Sequence, residues 1–160
     1  MNEDEYISAV KQNSQRLFLI ALSFTKNKDD SEDIIQNVFL KLWKNSGTFE
    51  DETHLEKWLT AVCVNECRNY LKTPFRKRCV ELCELTDTIE FDTTQNSDVF
   101  NAVMSLPQKE RTVIHLFYYE DLSVKEIAEL LKQSSSAVKT RLHRARKNLK
   151  EMLGDEWINE

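Results

Sequence analysis

The chain has 160 residues, of which 41% are hydrophobic and 31% charged, and its formal net charge is −5 at pH 7. This length is enough for one medium domain or two small ones, and a content of only two glycines and two prolines excludes a turn-rich β fold. The net negative charge repels nucleic acid, so any DNA binding must come from local basic patches.

The N-terminal stretch Met1–Glu5 is acidic and lacks the long apolar run of a secretory signal. No stretch approaches the roughly 20 apolar residues that a membrane helix needs. We therefore expect no membrane insertion and a cytoplasmic location.

Apolar residues between Glu5 and Ser23 predict one or two amphipathic helices. Asp30 is then a suitable N-cap for a second helix, from Ser31 to Lys44. The arc of this helix expected to face the core consists of Ile34, Ile35, Val38 and Leu42, with Phe39 at its edge.

A different side of the second helix carries Asp33, Gln36, Leu40 and Trp43. Apolar anchors with a polar rim are typical of a surface that binds a partner helix. The alternative is that Trp43 covers the local core, and the composition alone leaves the two interpretations level.

A polar loop from Asn45 to His54 precedes a third predicted helix, from Leu55 to Lys72. Its apolar arc unexpectedly includes Glu66, for which the sequence offers no physical reason. The opposite side groups Trp58, Asn65, Arg68, Asn69 and Lys72. These side chains could stack on bases and bind base edges, or they could form a solvated face with Trp58 half-buried.

Pro74 ends the third helix, and the segment from Glu81 to Asp98 contains six acidic residues and no Lys or Arg. We interpret this segment as a flexible acidic linker between two domains. The expected fold is therefore all-α, with two small helical domains, the second of which contains a helix-turn-helix.

The helix-turn-helix is predicted from Leu122 to Lys150. Ser123 and Glu126 form a capping box, and the segment from Lys132 to Ser135 interrupts the helical pattern. One face of the second helix carries Val138, Leu142, Ala145 and Leu149; the other carries Ser136, Lys139, Thr140, His143, Arg144 and Lys147. A buried seam behind a basic face suits the major groove, whereas the alternative is a basic face that is merely solvated.

The four cysteines form two pairs with the same spacing, Cys63 with Cys67 and Cys79 with Cys83. A zinc site is conceivable, but the tight C-x2-C knuckle is lacking and the second pair falls in the expected linker. We favour reduced cysteines that fill small apolar positions, and we expect no cofactor or metal. The three histidines lack clustered nucleophiles or carboxylates, so we expect no enzymatic activity.

These motifs, in this order along nearly the whole chain, resemble the two-domain bacterial RNA polymerase sigma factors of the extracytoplasmic-function (ECF) group of the sigma-70 family. The segment Asp33–Trp43 is similar to the family's core-polymerase-binding helix, D-I-x-Q-x-x-F-x-x-x-W. Trp58 to Leu71 resembles the helix that holds the minus-ten element. Leu106 to Arg146 resembles the second conserved domain and its recognition helix.

The resemblance implies sigma region 2 at 1–75, a linker at 76–98 and sigma region 4 at 99–160. It implies that core polymerase is bound by Asp33, Gln36, Phe39, Leu40 and Trp43. It implies that minus-ten DNA is bound by Trp58, Asn65, Arg68, Asn69 and Lys72, with a flipped base held by the loop Asn45–His54. It implies that minus-thirty-five DNA is bound by Ser135, Ser136, Lys139, Thr140, Arg141, His143, Arg144 and Lys147.

The implied partners are the RNA polymerase core, through the coiled-coil of its largest catalytic subunit, promoter DNA and an anti-sigma factor. The chain departs from the family pattern at Lys132, Gln133, Ser136 and Asn69, which affects the promoter sequence that is recognised. Two alternatives remain open: a stand-alone helix-turn-helix regulator, and a helical adaptor or antagonist that binds polymerase without DNA.

Overall fold

A computed structural model describes residues 1–45, 47–74 and 98–154. Helices are the regular secondary structure of these residues, in agreement with the predicted all-α fold. The N-terminal half, residues 1–74, contains α1 (Glu3–Thr25), α2 (Lys28–Lys44) and α3 (Glu52–Lys72). The C-terminal half, residues 98–154, contains α4 (Asp98–Ser105), α5 (Gln108–Ile114), a π-helical turn (His115–Tyr119), α6 (Val124–Leu131) and α7 (Ser135–Leu153). The predicted linker, residues 76–98, lies outside the described residues except for Asp98.

Side-chain caps define where α2 and α3 begin, and they correct the predicted start of each helix. The side chain of Asn27 accepts a hydrogen bond from the backbone N–H of Asp30 at 2.9 Å, so α2 begins at Lys28 and the prediction of Asp30 as the N-cap is wrong. The Asp30 carboxylate instead accepts a hydrogen bond from the Tyr70 hydroxyl at 2.6 Å. Asp51 caps α3 through the N–H of His54 at 2.8 Å, so this helix begins at Glu52 and not at Leu55.

The three N-terminal helices pack around one apolar core. It includes Leu17, Ile20, Phe24, Ile34, Val38, Leu42, Leu59 and Val64. The unexplained Glu66 of α3 forms an ion pair with Lys41 of α2, which accounts for a carboxylate beside the apolar arc. The negative charge of Glu66 is therefore balanced by a lysine of the neighbouring helix.

Cys63 and Cys67 are free and completely buried in this core. Burial raises the pKa of the Cys67 thiol well above its ordinary value, with further raising contributions from Cys63 and Glu66. These two residues therefore behave as small apolar side chains. Within the described residues no group of three or more His, Cys, Asp or Glu side chains could hold a metal, and Cys79 and Cys83 lie outside those residues.

In the C-terminal half, both predicted capping residues of α6 act as expected. The Ser123 hydroxyl accepts a hydrogen bond from the Glu126 N–H at 3.1 Å, and the Glu126 carboxylate accepts one from the Ser123 N–H at 3.2 Å. The helix ends at Leu131, and the C-cap residue Lys132 has a left-handed φ of 53°. Ser134 caps α7 through the N–H of Ala137 at 3.1 Å.

The two halves pack directly on each other, with α1 against α5 and α3 against α6. Buried side chains of both halves form one continuous apolar cluster. None of the helices that the structure describes combines the length and apolar character needed to cross a membrane.

Candidate nucleic-acid and partner surfaces

Helices α6 and α7 form a helix-turn-helix with the predicted division of faces. The four apolar residues at the back of α7, Val138, Leu142, Ala145 and Leu149, are all buried. The polar residues at its front are exposed: Ser135, Ser136, Lys139, Thr140, His143, Arg144 and Lys147. A helix that is anchored from behind and basic in front can enter the major groove.

Arg141 differs from the other predicted DNA-binding residues of α7. It is half-buried, and its guanidinium donates a hydrogen bond to the Gln133 side chain in the preceding turn. This hydrogen bond places Arg141 beside the turn, and its contact with DNA stays a prediction. The same hydrogen bond restrains the side chain of Gln133, the unusual turn residue.

Sequence reasoning missed the role of Arg146. Its Nε donates a hydrogen bond to the Tyr118 hydroxyl at 2.8 Å, and its guanidinium lies over the rings of Phe117 and Tyr118 at 5.2 and 5.6 Å. These contacts attach α7 to the π-helical turn. Basic residues of α7 thus divide into an exposed set and a set that supports the fold.

The exposed side of α2 forms what we call the α2 surface: Asp33, Gln36, Leu40 and Trp43. Leu40 and Trp43 are 53% and 56% exposed, which is unusual for such large apolar side chains. Their exposure favours a partner surface over a core role for Trp43. Phe39, expected at this surface, is only 7% exposed and packs in the core, and its contact with a partner stays a prediction.

Tyr6 of α1 supports the α2 surface. The only sequence signal for this role was an isolated aromatic residue in an acidic stretch. Its ring meets the Trp43 ring edge-on, with the centroids 4.9 Å apart. Its hydroxyl donates a hydrogen bond to the Phe39 carbonyl at 3.0 Å. Tyr6 thereby restricts the orientation of Trp43.

On α3 the predicted nucleic-acid face is mostly accessible. Asn65, Asn69 and Lys72 are exposed, whereas Arg68 and Trp58 are half-buried. The Trp58 ring packs edge-on against Phe49 of the preceding loop at 5.6 Å. Phe49 in turn meets the His54 ring at 5.4 Å, so an aromatic cluster connects the loop to the helix.

Beside this loop lies a groove of about 640 Å³ between the loop, α1 and the start of α3. Its lining combines apolar side chains, such as Phe49 and Leu55, with the carboxylates of Asp4, Asp51 and Glu52. Carboxylates repel phosphates but can accept hydrogen bonds from the amino groups of bases.

A second pocket, of about 210 Å³, lies where the halves meet. Arg68 and Lys72 of α3, Lys109 of α5 and Arg141 of α7 all line it. The structure thus brings residues predicted for the minus-ten element beside one predicted for the minus-thirty-five element. No pattern in the sequence indicated this proximity.

Burial shifts the pKa values of three titratable groups at or beside the π-helical turn: His115, Tyr119 and Glu120. Burial lowers the pKa of His115 to about 4, and this ring stacks on Tyr119 with centroids 5.0 Å apart. Burial also raises the pKa of Glu120, while the neighbouring Arg16 acts in the opposite direction. Neither His115 nor Glu120 lies on the exposed face of α7: His115 is buried in the C-terminal half, and Glu120 faces Arg16 of α1.

The fold and these surfaces define a helical protein with a helix-turn-helix that presents a basic face and with a separate, exposed apolar surface. Two protein-family models match it: sigma-70 region 2 at residues 9–76 and sigma-70 region 4 at residues 98–149.

Relatives match along most of their length. The chain is 29% identical over 159 residues to the RNA polymerase sigma factor SigV of Bacillus subtilis, covering 96% of this chain and 93% of the relative. It is 25% identical over 174 residues to the ECF RNA polymerase sigma-E factor of Haemophilus influenzae, covering 91% and 92%. In fold it resembles the sigma factor RpoE of Bartonella quintana, solved in complex with the anti-sigma factor NepR, with a TM-score of 0.68, 23% identity and coverage of 93% and 96%. The chain belongs to the ECF group of the sigma-70 family and is a promoter-directing sigma factor.

Proposed function

We propose that the chain directs core RNA polymerase to promoters through the particular surfaces described above. The observation that carries this proposal is the coexistence, on one chain, of an exposed basic face on α7 and an exposed apolar α2 surface. A stand-alone regulator would need the first surface but not the second. An antagonist that binds polymerase alone would need the second but not the first.

The N-terminal half would act as region 2, within residues 1–75, and the C-terminal half as region 4, within residues 99–160. The α2 surface would bind the coiled-coil of the largest polymerase subunit, with Leu40 and Trp43 as apolar anchors. Polymerase performs the chemistry, so the chain itself needs no catalytic group. Its place of action would be the cytoplasm.

The exposed residues of α3, together with Arg68, would hold the minus-ten element. The groove beside Phe49 would receive a base extruded from the duplex, at a cost of a few kcal/mol that stacking and edge hydrogen bonds offset. Because carboxylates line this groove, we expect it to favour a base that carries an exocyclic amino group.

The exposed face of α7 would recognise the minus-thirty-five element. Ser135, Ser136, Lys139, Thr140 and His143 would contact base edges, while Arg144 and Lys147 would contact phosphates. An anti-sigma factor is a further proposed partner, and the α2 surface is the exposed apolar area that it would cover.

Run-off transcription with core polymerase and a promoter library tests this proposal. We expect transcripts only when chain and core are both present, from promoters that share two sequence elements. Specific duplex binding by the chain alone, without any stimulation of transcription, would favour the stand-alone regulator. Binding to core without any promoter selection would favour the antagonist.

A further inference from the structure

The two halves are joined by an ion pair that only their contact can form. Arg16 lies on α1, and Glu120 directly follows the π-helical turn. The Nη1 atom of Arg16 is 3.1 Å from the Oε2 atom of Glu120. The same nitrogen donates a hydrogen bond to the Thr60 hydroxyl of α3 at 2.6 Å. The Glu120 and Arg16 side chains are 9% and 24% exposed, so this pair is partly shielded from solvent.

A second set of contacts satisfies the C-terminal end of α1. The carbonyl of Ser23 belongs to the last turn, where helical carbonyls lack intrahelical partners. It accepts hydrogen bonds from Arg111 Nε at 2.7 Å and from the Thr112 hydroxyl at 3.2 Å, both donors being on α5. The positive guanidinium also suits the negative end of the helix dipole.

Apolar burial adds to these polar contacts. Leu19 and Leu22 of α1 form a separate buried cluster with Phe100 and Met104 of α4. The contact between the halves therefore has an apolar part, a capped helix end and a partly shielded ion pair. These are features of a specific interface rather than of an incidental contact.

This closed arrangement is incompatible with a simultaneous grip on both promoter elements. Arg68 and Lys72 of α3 line the same 210 Å³ pocket as Arg141 of α7. The positions that name the two elements, minus ten and minus thirty-five, are about 25 base pairs apart, which is roughly 85 Å of B-form DNA. Helices α3 and α7 must therefore separate before each can meet its own element.

We propose that the contact between the halves is a self-inhibitory latch, centred on Arg16–Glu120 and on the capping of Ser23 by α5, that must open for promoter recognition. This inference rests on the function proposed above. The α2 surface and the front of α7 stay exposed while the latch is closed. The latch therefore blocks the two-point grip on DNA, not the individual contacts, so polymerase can dock on α2 first.

Small-angle X-ray scattering on the whole chain tests whether the latch closes the free protein. The wild type should have a radius of gyration near the roughly 15 Å of a compact chain of this length. Glu120→Lys and Arg16→Glu each place like charges together, and each should raise this radius above roughly 20 Å. The exchanged pair, Arg16→Glu with Glu120→Arg, should restore the compact value.

Asp121→Lys is the matched control, because Asp121 is the exposed neighbour of Glu120 and the charge change is the same. Its backbone φ of 55° is shared by Lys26 and Lys132 at 50° and 53°, so lysine fits this conformation in the chain. We expect Asp121→Lys to leave the radius at the wild-type value. An equal expansion in Asp121→Lys, or an expanded wild type, would overturn the latch.

Run-off transcription at a subsaturating concentration of the chain tests whether the latch inhibits promoter recognition. The apparent affinity of a binding-competent state is reduced by the fraction in which it is populated, so opening should increase transcript yield. We expect at least about a threefold increase for Glu120→Lys over both wild type and Asp121→Lys, reversed in the exchanged pair. If Glu120→Lys expands the chain but does not increase transcript yield, the inhibitory role of the latch is overturned. Absence of transcripts from every variant, with the scattering changes intact, would contradict the proposed function instead.

Discussion

At the scale of single residues, exposure distinguishes the side chains proposed to bind partners from those that serve folding. Trp43 and Phe39 belong to the same aromatic-rich stretch of α2, yet one is 56% exposed and the other 7%. The same contrast separates Arg144, exposed on α7, from Arg146, which packs on Phe117. Removal of an exposed anchor should therefore affect binding more than stability.

We expect Trp43→Ala to weaken binding to core polymerase at least tenfold, because exposed aromatic anchors at the centre of an interface dominate its affinity. The free energy of unfolding should change by less than about 1 kcal/mol, since the residue is already 56% exposed. Fluorescence-detected core binding and urea unfolding measure the two effects. Lys44→Ala, at the exposed end of the same helix, is the control and should change neither. A Trp43→Ala chain that unfolds would place Trp43 in the core after all.

His115 should make stability depend on pH. Its pKa is about 4 in the folded chain and about 6.5 in an unfolded one, so the folded state disfavours the charged ring. The associated stability is complete above pH 6.5 and is lost as the pH falls towards 4. Between pH 7.5 and pH 5 we expect a loss of roughly 2 kcal/mol in the free energy of unfolding.

Urea unfolding at the two pH values checks this expectation. His115→Phe keeps a ring that can pack against Tyr119 and should remove most of the pH dependence. His143→Gln, on the exposed face of α7, should retain it. An unchanged pH dependence in His115→Phe would show that other groups are responsible.

At the scale of elements, the turn between α6 and α7 closes α6 with two backbone hydrogen bonds but has a lysine at a left-handed position. The N–H of Gln133 donates to the Ala128 carbonyl at 2.9 Å and the N–H of Lys132 donates to the Glu129 carbonyl at 3.3 Å, which closes α6. This closure requires a left-handed residue, a conformation that glycine adopts most easily, and here the residue is Lys132.

Lys132→Gly should therefore stabilise the chain by about 0.5 to 1 kcal/mol, because relief of the left-handed strain exceeds the added entropy of the unfolded glycine. Thermal or urea unfolding measures the gain. Glu129→Gly, inside the same helix and also exposed, is the matched control and should destabilise by about 1 kcal/mol. A loss of stability in Lys132→Gly would mean that the Lys132 side chain contributes contacts that outweigh its strain.

At the scale of the whole molecule, charge distribution and the contact between the halves both oppose DNA binding by the free chain. The net charge of −5 repels the duplex, while the basic residues are confined to a few faces. Contact between the halves also places Arg68 and Lys72 beside Arg141 in one pocket. A partner that separates the halves would remove the second obstacle.

We expect the free chain to bind a duplex carrying both promoter elements at least tenfold more weakly than the same chain does in complex with core polymerase. Electrophoretic mobility shifts at about 150 mM salt measure both affinities. Core polymerase alone is the control for binding that the chain does not direct. Tight, sequence-specific binding by the free chain would contradict both the latch and the need for polymerase.

The sequence alone was sufficient where neighbours along the chain decide the structure. Helical periodicity placed Val138, Leu142 and Ala145 on the buried side of α7, because residues three and four apart share a helix face. The capping box at Ser123 and Glu126 was predictable for the same local reason. At the start of α2 two capping residues compete within four positions, and the choice of Asn27 over Asp30 frees Asp30 for Tyr70, 40 residues away.

Only the tertiary structure decided what depends on partners distant in sequence. It buried Phe39, paired Glu66 with Lys41, and placed Arg141 against Gln133. Above all, it joined the two promoter-binding halves through Arg16 and Glu120, which are 104 residues apart. Periodicity specifies the face on which a side chain lies, but only the packing of helices determines what that face meets.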